Sequence, residues 1–299
     1  MDDSPVAVAA MGGSLSAEDR RLVLAQFMKE CETNTRLRHP HIVAFLGLIA
    51  DDGVPRYLML EYMAGGTLHN LAHGGAELSV ERLHDILFSV SKALHYLHSL
   101  RPAVLHLDVK PKNVLLDSGG TAKLADLGEA HVVRSMTTRV TRRASGTMGV
   151  IGVGTPDYMA PEMHLEDEVK TGKADMFSFG VMTIECAARK LPAPLPQFAR
   201  EGLRLVSRLE SERRAADIGA VDAVRWRDLC ELIPHLIVDH TDDRWDSAQT
   251  VDFFARRVGT PHFEALSLLL CFSHVTEIRI FKKAKSSRQF VLFLDFLIL

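Results

Sequence analysis

The chain has 299 residues and a mass of 33.2 kDa, and 47% of its residues are hydrophobic. This is enough for a sizeable core in one large domain or two ordinary ones, and it excludes a disordered chain. The 35 basic and 38 acidic residues give a net charge of -3. We therefore expect neither nucleic acid nor an anionic membrane surface as a partner, and any function must come from a local site.

Cysteine spacing and the first residues both bear on the cellular compartment. The cysteines are isolated from one another, which predicts neither a disulfide framework nor a zinc site; they are Cys31, Cys186, Cys230 and Cys271. We interpret them as reduced core thiols. The opening MDDSPVAVAA lacks the basic and long apolar regions of a secretory signal. We therefore expect a cytoplasmic protein, with a nuclear location as the alternative.

Residues 5 to 62 are predicted to form a small α+β unit. One helix is expected from about Ser16 to Leu37, and the short β-type runs are Val6 to Val8, Ile42 to Ile49 and Tyr57 to Glu61. The turn signal Ala64-Gly65-Gly66 follows, where a hinge between two lobes would fall.

From Leu78 onward the pattern is mainly helical. One apolar stripe with helical spacing comprises Leu83, Ile86, Leu87, Val90, Leu94 and Leu97. Residues 174–188 are apolar nearly all round, which is typical of a helix in the middle of a helical domain. The apolar tail of residues 260–299 could be an edge strand, a partner-binding segment or an irregular end of the gene model, and we favour the last of these.

Residues 104–162 contain the candidate catalytic side chains. The stretch VLHLDVKPKNVLLD places Asp108, Lys110 and Asn113 in one tight loop, and KLADLGEA then supplies Asp126 before a turn glycine. Phosphoryl transfer needs a carboxylate for the attacking hydroxyl, oxygen ligands for Mg²⁺ and a cation near the moving charge. Asp108 offers the first, Asn113 and Asp126 the second, and Lys110 the third.

The ordered motifs HLDVKPKN, DLG and APE resemble the eukaryotic protein kinase family, over about Pro5 to Phe254. The resemblance implies an α+β fold of two lobes, with ATP and Mg²⁺ as cofactors and a protein as phosphoryl acceptor. We expect a truncated small lobe over residues 1–62, with one strand, a helix and two further strands. A mainly helical large lobe is expected over 63–259, followed by the tail over 260–299. The oligomeric state is left open.

The same resemblance assigns a nucleotide site and structural positions. Around the nucleotide it implies Ala7 and Leu115 packing on adenine, Leu60 as gatekeeper, Glu61 and Met63 as hinge residues, and Glu30 as the helix glutamate that holds the ATP-anchoring lysine. For the large lobe it implies a Glu162 to Arg244 pair, Asp175 bracing the catalytic loop, and His106 in an internal stack.

Substrate class follows from Lys110 and from Thr155 in GTPDYMAPE, which resemble the residues that frame an aliphatic hydroxyl in Ser/Thr kinases. The segments LRHPHIV and LMLEYMAGGTL resemble the tyrosine-kinase-like branch, which is mostly Ser/Thr-directed.

Several positions depart from the family pattern. Ala9 occupies the position of the ATP-anchoring lysine, and only five residues precede Val6, so we expect the glycine-rich loop and two strands to be missing. Nucleotide affinity and orientation should suffer. Leu107 replaces the arginine that usually receives an activation-segment phosphate. Asn34 stands where an apolar residue usually completes the stack with His106, and an unpaired buried amide there would cost about 1–3 kcal/mol.

The segment from Ala130 to Pro156 is basic, and RRAS within it makes Ser145 a candidate phosphorylation site or, equally, part of an unregulated loop. Three hypotheses follow for the whole chain. It is a Ser/Thr protein kinase, a pseudokinase that acts as a binding or scaffold module, or a truncated product that does not fold stably. The intact Asp108, Asn113 and Asp126 favour the first, and Ala9 favours the other two.

Overall fold

The computed structural model describes residues 6–10, 31, 34–51, 54–75, 78–128, 130–133, 155–165, 170–189, 220–258 and 289–293. Its strands are β1 (Val6–Ala10), β2 (Phe45–Asp51), β3 (Val54–Glu61), β4 (Gly66–Thr67), β5 (Ala103–Leu105), β6 (Val114–Leu116), β7 (Ala122–Leu124), β8 (His131–Val133) and β9 (Gln289–Phe293). Its α-helices are α1 (Leu68–His73), α2 (Val80–Ser99), α3 (Gly172–Ala188), α4 (Ala220–Leu236) and α5 (Ser247–Val258).

The first unit is an antiparallel sheet of four strands in the order β1-β3-β2-β9. Ala7 lies opposite Leu60 in this sheet, and Ala9 lies opposite Leu58. Five residues of the apolar tail form the edge strand β9, which pairs with β2. A small core of Cys31, Phe45 and Leu58 packs beneath the sheet. Of the helix predicted from Ser16 to Leu37, the described residues 31 and 34–36 are helical.

Two helices form the centre of the second unit. Every residue of the predicted apolar stripe on α2 is buried, and Ser79 caps this helix by accepting a hydrogen bond from the backbone N–H of Arg82. Helix α3 is buried on all sides, as its apolar sequence predicts. Gly180 lets α3 approach α4 closely, because a Cβ there would come within 2.9 Å of Leu236 and Ile237. The result is a main core that includes buried residues of α2 and α3, and a second apolar cluster that also includes residues of α3.

Small sheets attach the candidate catalytic segment to this core. One sheet has the order β4-β6-β7, and β5 pairs with β8. The backbone N–H of Val43 donates to the carbonyl of Leu124 at 2.9 Å, and that of Leu124 donates to the carbonyl of His41 at 2.8 Å. These bonds tie the strand-forming unit to the segment that carries the catalytic motifs.

The predicted fold class, an α+β fold with a small sheet unit and a mainly helical unit, is confirmed. Among the described helices, none is both long and apolar enough to cross a bilayer. Among the described residues, Cys31, Cys186 and Cys230 are not in a disulfide, and Cys271 lies outside the described residues.

A buried ion pair joins two distant parts of the helical unit. The guanidinium of Arg244 donates to both carboxylate oxygens of Glu162, at 2.6 and 3.1 Å, and to the carbonyls of Val238 and Lys173. Both side chains are almost fully buried. The Arg244 guanidinium also lies over the ring of Phe177, 4.9 Å from its centroid. Removing either partner would leave an uncompensated buried charge.

We predict that Arg244→Ala lowers the free energy of unfolding by about 3–5 kcal/mol, because Glu162 would keep its charge without a partner. Urea denaturation of the full chain measures this loss. The matched control is Arg256→Ala, whose partner Asp252 is on the same exposed helix face. That change should cost less than about 1 kcal/mol. Equal losses in the two variants would contradict the structural role of the buried pair.

Candidate active site

The backbone of the catalytic loop is held by one buried carboxylate. Asp175, in the first turn of α3, accepts hydrogen bonds from the backbone N–H groups of His106 at 2.8 Å and Leu107 at 2.7 Å. The His98 side chain, from the last turn of α2, contacts the same carboxylate at 2.8 Å. Burial by itself raises the pKa of Asp175, but the hydrogen bond from His98 and the charges of nearby histidines outweigh it, so the pKa is lowered. The loop is therefore anchored to an ionised group inside the core.

His106 links the catalytic loop to the segment that precedes Asp126. Its Nε2 lies 3.0 Å from the carbonyl oxygen of Ala125, and its Nδ1 accepts from the backbone N–H of Asp108. This pattern fits the tautomer that carries its proton on Nε2. The backbone N–H of Ala125 also donates to the carbonyl of Asn113 at 2.8 Å. Asp126 thus directly follows Ala125, which is hydrogen-bonded to His106 at the start of the loop and to Asn113 at its end.

The Asp108 carboxylate is the centre of the hydrogen-bond network. Its Oδ2 accepts from Lys110 Nζ at 2.5 Å and from Asn113 Nδ2 at 2.8 Å. Its Oδ1 accepts from the backbone N–H of Thr155 at 3.0 Å and from the Thr155 hydroxyl at 2.8 Å. Lys110 Nζ donates to that hydroxyl oxygen as well, at 2.7 Å. The structure therefore brings Asp108, Lys110, Asn113 and Thr155 together across 47 residues of sequence.

These donors set the charge state of Asp108. Burial tends to raise the pKa of Asp108, but the hydrogen bonds from Lys110 and Thr155, the Lys110 charge and the Asn113 amide together lower it. A lowered pKa keeps the carboxylate ionised at neutral pH. An ionised carboxylate can accept a hydrogen bond from an incoming hydroxyl.

Asn113 and Asp126 are the candidate metal ligands. Asn113 Nδ2 donates to both the carbonyl and the carboxylate of Asp108, which fixes the orientation of the amide and leaves its Oδ1 as the oxygen for other partners. Asp126 is exposed, and its φ of 63° turns the chain sharply after β7. An amide oxygen and a carboxylate are hard ligands of the kind that Mg²⁺ takes. The donor chemistry fits a magnesium nucleotide.

The predicted hinge begins at the end of β3. Glu61 exchanges hydrogen bonds with Ala44, donating from its backbone to that carbonyl at 3.0 Å and accepting from that amide through Oε1 at 2.7 Å. Lys123 on β7 pairs with the Glu61 carboxylate at 2.7 Å. Further along, Gly65 donates to the carbonyl of Leu116 at 2.8 Å, and a Cβ on Gly65 would lie 2.7 Å from the carbonyl oxygen of Asp117. A glycine is required at this close approach.

The structure also gives the positions of four residues predicted to surround the nucleotide. Ala7 and Leu60 are cross-strand neighbours in the sheet, Met63 is buried after β3, and Leu115 is in β6 between Thr67 and Lys123. Glu30 and Ser145 lie outside the described residues.

Two departures from the family pattern lie within the described residues. Asn34 is buried and is not without a partner, and the cost expected for an unpaired amide at this position stays a prediction. Leu107 has a φ of 63° and packs against an apolar cluster that includes Tyr158, Met159 and Met163. An apolar side chain at position 107 therefore packs against the cluster formed in part by residues 155–163, which we call the end of the activation segment.

Sequence reasoning missed three participants: His98, Lys123 and Glu185. His98 supports Asp175, and Lys123 neutralises Glu61. Glu185 accepts a hydrogen bond from the Tyr158 hydroxyl at 2.5 Å. Burial and the neighbouring Glu185 raise the pKa of Tyr158, so its hydroxyl keeps the proton it donates. Neither a motif nor a regular spacing identifies His98, Lys123 or Glu185, because each contributes a single side chain that contacts a residue distant in sequence.

The sequence pattern of the protein kinase domain matches residues 4–252. The chain belongs to the protein kinase family. The chain is 39% identical over 202 residues to salt tolerance receptor-like cytoplasmic kinase 1 of Oryza sativa subsp. japonica, covering 64% of this chain and 53% of that protein. It is 34% identical over 171 residues to serine/threonine-protein kinase CTR1 of Arabidopsis thaliana, covering 56% and 19%. A third relative, the probable serine/threonine-protein kinase drkA of Dictyostelium discoideum, is 33% identical over 192 residues, covering 61% and 28%.

The family recognised from HLDVKPKN, DLG and APE is therefore confirmed. The chain spans about half the length of the rice relative and a smaller share of the other two. Protein kinases as a family use ATP as phosphoryl donor and proteins as substrates.

We predict that Lys110→Gln raises the pKa of Asp108, because the carboxylate loses both a charged hydrogen bond and a nearby positive charge. Carboxyl-carbon NMR of aspartate-labelled protein measures the titration, and Asp108→Asn identifies the signal. Lys112→Gln is the matched control, since Lys112 is an exposed lysine of the same loop. An Asp108 signal that titrates as in the wild type would show that Lys110 does not set its charge.

Proposed function

We propose that the chain is a protein serine/threonine kinase, which transfers the γ-phosphoryl group of ATP to Ser or Thr hydroxyls of proteins. The observation that carries the proposal is the Asp108 carboxylate held between Lys110 and Thr155. This arrangement offers an ionised acceptor and an ammonium group within one hydrogen-bonded unit. The names of the relatives from Arabidopsis and Dictyostelium support a Ser/Thr preference.

In the proposed reaction the substrate hydroxyl donates a hydrogen bond to Asp108, taking the place of one present donor. The hydroxyl oxygen forms a bond to the γ-phosphorus while the bond from that phosphorus to the β,γ-bridging oxygen breaks. The hydroxyl proton passes to Asp108, and ADP leaves with the electron pair of the broken bond. Lys110, within 2.7 Å of the Thr155 hydroxyl, supplies positive charge beside the transferring group. Asp175 acts as a positioning residue by holding the loop backbone.

Asn113 and Asp126 are the proposed ligands of Mg²⁺, through amide and carboxylate oxygens. When bound, the ion would neutralise negative charge on the nucleotide phosphates. The protein's own contribution is to orient these oxygens. Asn113 is oriented by its two bonds to Asp108, and Asp126 accepts a hydrogen bond through Oδ1 from the backbone N–H of Gly128 at 3.3 Å.

The proposed adenine site is formed by Ala7 and Leu115 on the two faces of the ring, with Leu60 behind it and the backbone of Glu61 and Met63 at its edge. Its support is the register that places Ala7 beside Leu60 and the strand pairing that carries Leu115. The domain limits of 1–62 and 63–259 remain part of this proposal. The name of the rice relative supports a cytoplasmic location for this chain.

A second function is favoured by one observation, the alanine at position 9. In β1, Ala9 lies opposite Leu58, at the position where the family pattern has a lysine for the α- and β-phosphates. Alanine offers no charge to these phosphates. A pseudokinase would bind proteins through the same fold without transferring phosphate.

We predict that Asp108→Asn abolishes phosphate transfer, with a loss of at least about 100-fold, because the amide cannot take the hydroxyl proton. Transfer of labelled γ-phosphate from ATP to a generic Ser/Thr protein substrate measures the effect. Asp239→Asn, an exposed aspartate outside the loop, is the control and should retain full activity. Transfer that persists unchanged in Asp108→Asn would refute the assigned role, and absence of transfer in the wild type would favour the pseudokinase.

We predict that Ala9→Lys raises both ATP affinity and the transfer rate, because an ammonium group would then face the nucleotide phosphates. Calorimetry with ATP and Mg²⁺, together with the phosphate-transfer assay, checks both parts. Ala9→Met is the matched control, since it adds similar length without charge. If the lysine and methionine variants behave alike, the position does not contact the phosphates.

A further inference from the structure

Three metal-ligating side chains meet outside the proposed active site. His69 and His73 are four residues apart on α1, so both point to the same side of this helix. Glu185 reaches them from α3. Its Oε1 lies 2.8 Å from His73 Nε2 and 3.7 Å from His69 Nδ1, and the three ligand atoms all lie within 4.8 Å of one another.

We propose that His69, His73 and Glu185 form a binding site for a zinc ion. Two imidazoles and one carboxylate are a donor set that suits Zn²⁺, with a water completing four ligands. With metal to ligand distances of about 2.0–2.2 Å, neighbouring atoms of a tetrahedral site are roughly 3.3–3.6 Å apart. The Glu185 oxygen lies 2.8 and 3.7 Å from the two histidine nitrogens, on either side of this range. Small side-chain movements would therefore bring the three atoms to the separations that a zinc ion requires. Mg²⁺ and Ca²⁺ prefer oxygen ligands and fit this set poorly.

Burial supports a cation at this place. The Glu185 side chain is completely buried, whereas those of His69 and His73 are 25% and 20% exposed. A buried carboxylate needs compensation of its charge, and the two partly exposed imidazoles leave a path by which an ion can enter. The two histidine rings lie close together, with centroids 4.7 Å apart and ring planes tilted by 49°.

The carboxylate is already oriented for this role. Tyr158 donates its hydroxyl proton to Oε2 of Glu185 at 2.5 Å, which leaves Oε1 directed at the two histidines. Metal-binding carboxylates are commonly fixed by such a hydrogen bond. Because Tyr158 belongs to the end of the activation segment, a bound zinc ion would join α1, α3 and that segment. The site therefore couples metal binding to the region beside Thr155.

An alternative explanation of this cluster is a hydrogen bond between His73 and Glu185 without a metal ion. The hydrogen-bonded pair and the zinc site differ in whether His69 is needed. At 3.7 Å, His69 is beyond hydrogen-bond distance of Glu185, so its removal hardly affects a simple hydrogen-bonded pair. It would, however, remove one of the three proposed ligands of the ion.

The test uses the full chain, freed of metal by dialysis against a chelator and titrated with Zn²⁺ by calorimetry. We expect one equivalent to bind, with binding at least about tenfold weaker in His69→Gln and in His73→Gln. His240→Gln, an exposed histidine elsewhere on the surface, is the control and should bind zinc like the wild type. Excess Mg²⁺ should not compete.

A second measurement covers the case in which His73→Gln fails to fold. Cobalt bound to the wild type in place of zinc should give the intense visible absorption of a tetrahedral ion, and His69→Gln should lose it while keeping its circular dichroism. The proposal is overturned if the wild type binds no zinc, if His69→Gln binds zinc as the wild type does, or if the cobalt spectrum is that of a six-coordinate ion.

Discussion

The candidate active site of this chain depends on one buried carboxylate. Asp175 holds two consecutive backbone amides of the loop that carries Asp108, and it does so from α3, a helix buried on every side. Backbone amides cannot be left without partners in such an interior, so the loop has little freedom to take another path. His98 adds a contact from α2, which places the carboxylate between the two central helices. The position of Asp108 relative to the core is therefore set before any substrate binds.

The end of the activation segment is attached to the same core at three points. Thr155 bonds to Asp108, Tyr158 to Glu185, and Glu162 to Arg244. Two of these bonds are to carboxylates inside or beside the core, and the third is a buried ion pair. Because none of the three uses a phosphate, this part of the segment does not need an arginine at position 107. Leu107 instead packs against the apolar cluster that contains Tyr158, so the substitution replaces an electrostatic attachment with a hydrophobic one.

Much of the fold and part of the site could be predicted from sequence, because these features depend on residues that are close together in the chain. Contacts between single residues distant in sequence could not be predicted. The stripe on α2 and the apolar α3 follow from periodicity, which is a local property. Asp108, Lys110 and Asn113 lie close in sequence, so one loop had to bring them together. His98, Lys123 and Glu185 act on partners 77, 62 and 112 residues away, and no repeating pattern accompanies a single side chain.

In the proposed reaction, the alanine at position 9 would lie on the side of the nucleotide phosphates, opposite to the acceptor side that holds Asp108. Two described lysines near the loop and hinge already have partners: Lys110 is bonded to Asp108 and Thr155, and Lys123 is paired with Glu61. Moving either lysine to the nucleotide phosphates would leave a buried or partly buried carboxylate without its partner. The free energy lost in this way exceeds the free energy gained from an exposed ion pair. Neither lysine is therefore a ready substitute. In the proposed reaction the acceptor side of the site keeps its geometry while the donor side lacks a charge, so we expect any loss of activity to arise from how the nucleotide is held rather than from how the hydroxyl is activated.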